Sequence, residues 1–214
     1  MSPLETLGFA LGTSFASGLN VYATVAAAGI MQRLGLVTLP ESLQVLTHPI
    51  VLGLAVTLFV IEFIADKIPY FDSAWDAVHT FIRPPAAAVL SYSAFGNVSE
   101  EWKLGAALLA GSVALTSHGA KASTRAAANT SPEPVSNWVL SLFEDGLVVF
   151  LVWMAAEHPY WTAGIVLVLV ILAVLLIRKL WSFTRQLIDR LRRGRLTEPG
   201  PNPPAHTHAE PPGR

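Results

Sequence analysis

His118, Lys121 and Arg125 stand at i, i+3 and i+7 in the run SHGAKASTRAAAN, residues 117–129, so on a helix they share one face. Directly before them lies LGAALLAGSVALT, a stretch apolar enough for a lipid bilayer. A charge at mid-bilayer costs about 2.5–3.5 kcal/mol on insertion scales, so two unpaired cations cost roughly 5–7 kcal/mol, comparable to the whole stability of a typical domain. They need partners. Glu144 and Asp145 interrupt the apolar sequences LSLF and GLVVFLVW, and Glu62 and Asp66 lie i, i+4 at the end of IVLGLAVTLFVIEFIAD. Ser17, Asn20 and Thr24 repeat the i, i+3, i+7 spacing without charge, and Ser117 and Thr124 flank the cations. Lys121, Arg125 and His118, with Asn20, Thr24, Ser17, Ser117 and Thr124, form a set suited to an anionic or carboxylate-bearing solute. Glu144, Asp145, Glu62 and Asp66 would balance charge or carry a coupling proton, and together these groups would line a polar cavity.

Ion pairs can instead fix helix register, and long cationic stems can snorkel to the headgroups. Four or more ionisable groups at one depth are a costly way to fix packing that Gly and Ala faces already provide, which favours a functional reading. Asp66, Asp72, Asp76 and His79 resemble the oxygen-and-imidazole ligands of a divalent metal. The solvated face of a helix lying among headgroups accounts for the last three more simply, so no metal and no other cofactor is expected. His206 and His208 fall in a Pro-rich tail and need no role. GxSxG, phosphate-binding glycine loops and HExxH are absent, which removes the familiar catalytic motifs but not membrane-embedded enzymes that lack them.

The elements that must position these residues follow from composition. The 214 residues are 52% hydrophobic and only 14% charged, against about 25% charged in an average soluble domain. Mean hydropathy is +0.50. This is the composition of an all-α, polytopic membrane protein. A net charge of −1 argues against a nucleic-acid partner, and the lack of cysteine excludes disulfides, thiolate metal sites and a catalytic thiol. The N-terminus has no basic leader or cleavage signature and is expected to be a retained first span.

At roughly 20 apolar residues per crossing, six spans are expected: about 5–32, 46–66, a short piece within 85–97, 103–129, 137–156 and 160–182. Residues 72–83, DSAWDAVHTFIR, place Asp72, Asp76, His79 and Arg83 on one stripe and Trp75, Val78 and Ile82 on another, which predicts an interfacial amphipathic helix broken by Pro84-Pro85. The piece after it either spans or re-enters. A short connection near 130–136 predicts that spans four and five are antiparallel neighbours. Lys121 and Arg125 lie about 10 residues before it and Glu144 and Asp145 about 10 after, a matched depth of about 15 Å. The expected organisation is a transmembrane domain over 1–183, a basic amphipathic cytoplasmic helix over 184–195 and a disordered Pro-rich tail over 196–214. Basic residues from Arg178 to Arg195 place the C-terminus in the cytoplasm, and an even number of spans places the N-terminus there too, in a cell's inner (plasma) membrane.

Offset by 100 residues, the chain matches itself: Ser17, Thr24 and Ala26–Ala28 correspond to Ser117, Thr124 and Ala126–Ala128. Pro69-Tyr70 and Pro159-Tyr160 each follow an apolar span. Three spans per unit make a 3+3 inverted repeat, the architecture of many secondary transporters.

The pieces GLNVYATVAAAG, EFIADKIPYFDSAWDAVHTFIRPPAAA and SHGAKASTRAAANTSPEPVSNWVLSLFED resemble the bacterial membrane family known as domain of unknown function 4126, over about residues 5–180. The resemblance implies a multi-pass membrane protein and no established substrate. Three functions stay open. The first is a small permease for an anionic solute, proton-coupled, with the lipid bilayer and a homodimer partner as its surroundings. The second is a non-transporting scaffold whose basic segment binds anionic lipid. The third is an embedded enzyme on a lipid or phosphorylated substrate, with His118 or a carboxylate as acid/base.

Overall fold

The computed structural model describes residues 1–129 and 134–196, and every regular element among them is helical. In order these are α1 (Pro3–Arg33), a 3-10 helix (Glu41–Thr47), α2 (Pro49–Ala65), α3 (Phe71–His79), α4 (Arg83–Ala94), α5 (Glu100–Ala128), α6 (Pro134–Glu157) and α7 (Pro159–Leu196). The chain divides into two compact units, Met1–Leu180 and Trp181–Arg214. In the second unit the helix continues through the basic segment to Leu196, with the Arg185 guanidinium 5.2 Å from the Trp181 ring. The tail expected over 196–214 lies, beyond Leu196, outside the described residues, as do residues 130–133 of the expected connection.

Helix α1 is the hub of the first unit. It starts with a capping box, in which Ser2 Oγ accepts from the Glu5 amide and Glu5 accepts from the Ser2 amide, and Pro3 fills the first helical position. Of its most apolar window 78% is buried, against 17% for α7, so α1 is enclosed by its neighbours while α7 presents most of its surface outward. Small residues make that enclosure feasible. A Cβ at Gly12 would strike Ala155 and Thr162, and one at Gly18 would strike the Ser117 hydroxyl and the Ala114 carbonyl, so backbones approach closely at both places. Helix α6 packs along α1, and α5 packs along α1 and α4.

The expectation that the fourth and fifth spans are direct neighbours is therefore corrected. Helices α5 and α6 make little contact with each other, because the small-residue faces of α1 draw both onto it.

Among the described residues, three helices are long and apolar enough to cross a membrane: Pro3–Arg33, Val135–Glu157 and Pro159–Phe183. A fourth crossing arises if the 3-10 helix and α2, which meet at 66°, are counted as one broken span. Helix α5 has the length, but its second half is polar. Helix α4, with 12 residues, is about 18 Å long, too short to cross alone. The outer surface carries Ile50, Phe81, Leu108, Phe143 and Trp161, each more than two-thirds exposed, as lipid contact requires.

The expected break is present but lies before the proline pair: α3 ends at His79, and Pro84 and Pro85 occupy the first turn of α4, where a missing amide hydrogen costs nothing. The stripe of α3 is also turned round relative to the sequence reading. Asp72, Asp76, His79 and, just beyond, Arg83 are at most 2% exposed, while Val78 and Phe81 face outward. A solvated face was expected for the charged residues. In an apolar solvent the charges gain most by facing each other in the interior, so the amphipathic pattern fixes the stripe but not the side on which it packs.

Candidate functional site

Near its middle α1 is broken. Asn20 has φ −156° and ψ 101°, extended backbone between two helical halves. The Asn20 side chain caps the second half, its Oδ1 accepting from the Ala23 amide at 2.9 Å, and Thr24 donates to the Asn20 carbonyl at 2.9 Å. The last carbonyls of a helix lack intrahelical partners, and at a break they need others. Here cations supply them. Arg83 Nη1 donates to the Gly18 carbonyl at 3.2 Å and Lys121 Nζ to the Leu19 carbonyl at 3.1 Å. Positive charge at the C-terminal end of a helical segment is favourable to its dipole.

The two cations belong to a network assembled from six helices. Arg83, at the start of α4, donates to Glu62 Oε1 of α2 at 2.7 Å and lies 3.2 Å from Asp76 Oδ1 of α3. Lys121 of α5 lies 2.7 Å from Asp66 Oδ2, 3.4 Å from Glu62 Oε1 and 3.5 Å from Glu144 Oε2. Arg125, one turn on, donates to Glu144 Oε2 of α6 at 2.7 Å and to Asp66 Oδ2 at 3.4 Å. Its guanidinium also reaches the Asp66 and Asn137 carbonyls. Asn129 donates to Asp72 at 2.8 Å and accepts from Asn137 at 3.0 Å, and Asn20 Nδ2 donates to Asp145 Oδ1 at 3.2 Å, tying the break in α1 to α6.

The charges do not balance. Among the described residues, five buried carboxylates (Glu62, Asp66, Asp72, Asp76, Glu144) face three buried cations (Arg83, Lys121, Arg125), an excess of two negative charges. At the rim the half-buried Asp145 and Lys67 add one charge of each sign, and Lys67 is held by the Ser141 hydroxyl and the Phe63 carbonyl. Glu62 Oε2, Asp66 Oδ1, Asp72 Oδ2, both Asp76 oxygens and Asp145 Oδ2 make no hydrogen bond. Unmatched buried carboxylates are expensive, and protonation is the least costly way to neutralise them.

The two histidines of the network differ in how they are held. Arg83 Nη1 donates to His118 Nδ1 at 2.7 Å, so the ring hydrogen lies on Nε2, 2.8 Å from the Thr80 hydroxyl, whose own hydrogen goes to the Asp76 carbonyl. His79 has the other tautomer. Its Nδ1 donates to the Trp75 carbonyl at 2.8 Å, leaving the Nε2 lone pair to the Tyr22 hydroxyl at 3.2 Å.

The expected site residues thus have different fates. Lys121 and Arg125 meet Glu62, Asp66 and Glu144 by direct contact, Asn20 meets Asp145, and His118 joins the cluster through Arg83. Ser117 donates to the Phe15 carbonyl across the tight crossing of α1 and α5, and Thr24 supports the break. Thr124 bonds within its own helix to the Ala120 carbonyl, and the buried Ser17 hydroxyl makes no hydrogen bond. Sequence reasoning missed Arg83, Asp72, Asp76 and His79 as members, together with Tyr22, Asn129 and Asn137. Their regular spacing in DSAWDAVHTFIR was the signal for the first four. Among the described residues, no group of three or more His, Asp or Glu side chains is arranged to hold a metal ion.

One family profile, described as a domain of unknown function, matches residues 7–179 and so covers the whole network. The chain belongs to the domain of unknown function 4126 family. No curated protein and no solved structure matches this family member.

Proposed function

We propose that the chain is a small inner-membrane permease that couples an anionic or carboxylate-bearing solute to protons, with both termini in the cytoplasm. The observation that carries this reading is the break in α1 at Asn20, where the exposed carbonyls of Gly18 and Leu19 are held by two cations of an acid-rich buried network. Discontinuous helices whose ends meet ionic groups near the midplane are how many secondary transporters build their sites. Packing alone does not call for an unwound residue at the centre of the most buried helix.

The charge excess suggests how coupling works. With carboxylates ionised, Lys121 and Arg125 are fully occupied by Asp66, Glu62 and Glu144. Protonating those acids releases the cations, and an anion then finds two donors in a site whose net charge has become positive. Solute and proton therefore favour each other's binding, which is the requirement for symport.

The same reading includes a 3+3 inverted repeat, in which the 100-residue offset pairs α1 with α5. Gly18 of α1 packs against Ala114 and Ser117 of α5, positions that correspond under the 100-residue offset to 14 and 17 beside 18 itself. Equivalent helices crossing at equivalent positions is what a pseudo-two-fold axis between repeats produces.

The test is reconstitution in proteoliposomes on a solid support, with currents recorded for a panel of carboxylate and phosphate solutes under an inward proton gradient. A solute-evoked current that vanishes in Arg125→Gln while the protein still inserts and elutes as a folded species supports the reading. Lack of current for every solute, at every imposed gradient, refutes it.

A further inference from the structure

Resting on that permease reading, we infer that His79 and Glu62 form the proton-loading pair of the network, and that His118 does not carry protons. Four observations on position and partners converge on this pair.

The first is the His79 tautomer. Because Nδ1 gives its hydrogen to the Trp75 carbonyl, the basic lone pair sits on Nε2. That nitrogen faces the Tyr22 hydroxyl at 3.2 Å on one side and Glu62 Oε2 at 4.0 Å on the other. The second is that Glu62 Oε2 makes no hydrogen bond although the residue is fully buried, while Oε1 is engaged by Arg83 and Lys121. One oxygen of the carboxylate is anchored and the other is open toward the imidazole. The third is the path outward. Tyr22 is half-buried, its ring meets the His79 ring edge-on with centroids 5.6 Å apart, and the half-buried Trp75 stacks on the other side at 4.7 Å. The imidazole is clamped in place, with a hydroxyl leading away from it.

The fourth observation is the contrast with His118. Arg83 is a permanent donor aimed at His118 Nδ1, so a second ring hydrogen there would face the guanidinium hydrogen head-on. His118 is fixed as a neutral acceptor that positions Arg83.

The proton step balances without any co-reactant. A proton arriving through the Tyr22 hydroxyl adds to His79 Nε2, giving an imidazolium beside Glu62. The Nε2–H bond then breaks as a bond to Glu62 Oε2 forms, returning a neutral imidazole and a carboxylic acid. Every element packed around the pair contributes a group: Tyr22 from α1, Glu62 from α2, Arg83 from the start of α4, and Lys121 from α5. Neutral Glu62 loosens its hold on Arg83 and Lys121, the two side chains that hold the broken end of α1, so loading a proton reaches the break directly.

Two measurements on the full-length protein test this. In nanodiscs, histidine-selective nitrogen NMR should show His79 as the Nδ1–H tautomer when neutral and doubly protonated as pH falls, with His118 keeping Nε2–H throughout. Glu62→Gln should move the His79 midpoint to lower pH, because the carboxylate that favours the imidazolium is gone. In proteoliposomes loaded with a pH-sensitive dye, proton flux evoked by a solute that drives current in the unaltered protein should be lost in His79→Gln and in Glu62→Gln, and reduced in Tyr22→Phe, which removes one hydroxyl and leaves the ring. Flux that survives His79→Gln and Glu62→Gln overturns the pair and leaves the permease reading standing. A His79 midpoint that Glu62→Gln moves, with no flux for any solute at any imposed gradient, upholds the pair as a protonation site and refutes transport. A His79 midpoint unmoved by Glu62→Gln overturns the pair outright.

Discussion

Lys121→Met removes a buried ammonium while keeping most of the apolar stem. Lys121 Nζ lies within 3.5 Å of Asp66, Glu62 and Glu144 and donates to the Leu19 carbonyl. Breaking a buried pair from one side typically costs about 3–5 kcal/mol. For a chain of this size that corresponds to a drop of roughly 6–20 °C in the unfolding midpoint. Asp76→Asn perturbs the same network with the opposite sign. It removes one of the excess carboxylates, which accepts no hydrogen bond and whose ion-pair partner Arg83, 3.2 Å away, keeps Glu62, so the expected cost is about 1 kcal/mol. After the lysine change five buried acids face two cations; after the aspartate change four face three. The assay is tryptophan fluorescence during thermal unfolding in a mild detergent, with both single variants and the double variant compared in a cycle. Equal losses, or a larger loss for Asp76→Asn, would refute the claim that the buried network is short of positive charge. A negligible loss for Lys121→Met would show that its ammonium is solvated and that the direct contacts contribute little.

Gly18→Ala places a methyl against Ser117 and Ala114 where backbones touch, so α1 and α5 must separate; a loss of about 1–3 kcal/mol in the same unfolding assay is expected. Asn20→Ala deletes the cap on the second half of α1 and the donor to Asp145; stability should fall by about 1 kcal/mol, and solute currents should fall far more than stability does. The natural chain has no cysteine, so single cysteines can be labelled without background. Leu108→Cys, on the apolar half of α5, should resist a membrane-impermeant maleimide in intact vesicles, and Glu101→Cys, at the start of that helix, should react when its side of the membrane faces the reagent. Rapid labelling of Leu108→Cys would remove α5 from the bilayer.

Much of this was legible in the residues. The i, i+3, i+7 spacing of His118, Lys121 and Arg125 fixed their common face, and the cost of burying them pointed to Glu62, Asp66 and Glu144. What the pattern could not give was the inward side of α3. Asp72, Asp76, His79 and Arg83 form the same stripe whether the outside is water or lipid, and only packing against Glu62 and Lys121 distinguishes the two. The break in α1 was likewise hidden, because Asn20 is as compatible with a polar face as with a cap. Besides the local bonds of Asn20 and Thr24, it is the cations placed on Gly18 and Leu19 from distant parts of the chain that stabilise the opened turn. Helix adjacency was misread for a related reason: a short connection limits how far α6 can stray from α5, but the Gly-rich surface of α1 decides which helix each one lies against.

The order of the partners along the chain carries a consequence for biogenesis. Glu62 and Asp66 precede Lys121 and Arg125 by 55 to 63 residues, so ribosomal synthesis delivers the acids first. Carboxyl groups can enter a nascent bundle as neutral acids, whereas an arginine cannot shed its charge, so Lys121 and Arg125 emerge with Glu62 and Asp66 already in place and Glu144 still to come. A chain permuted to translate α5 before α2 would present naked guanidinium to the insertion machinery, and its yield in the membrane should collapse even though its finished fold is the same.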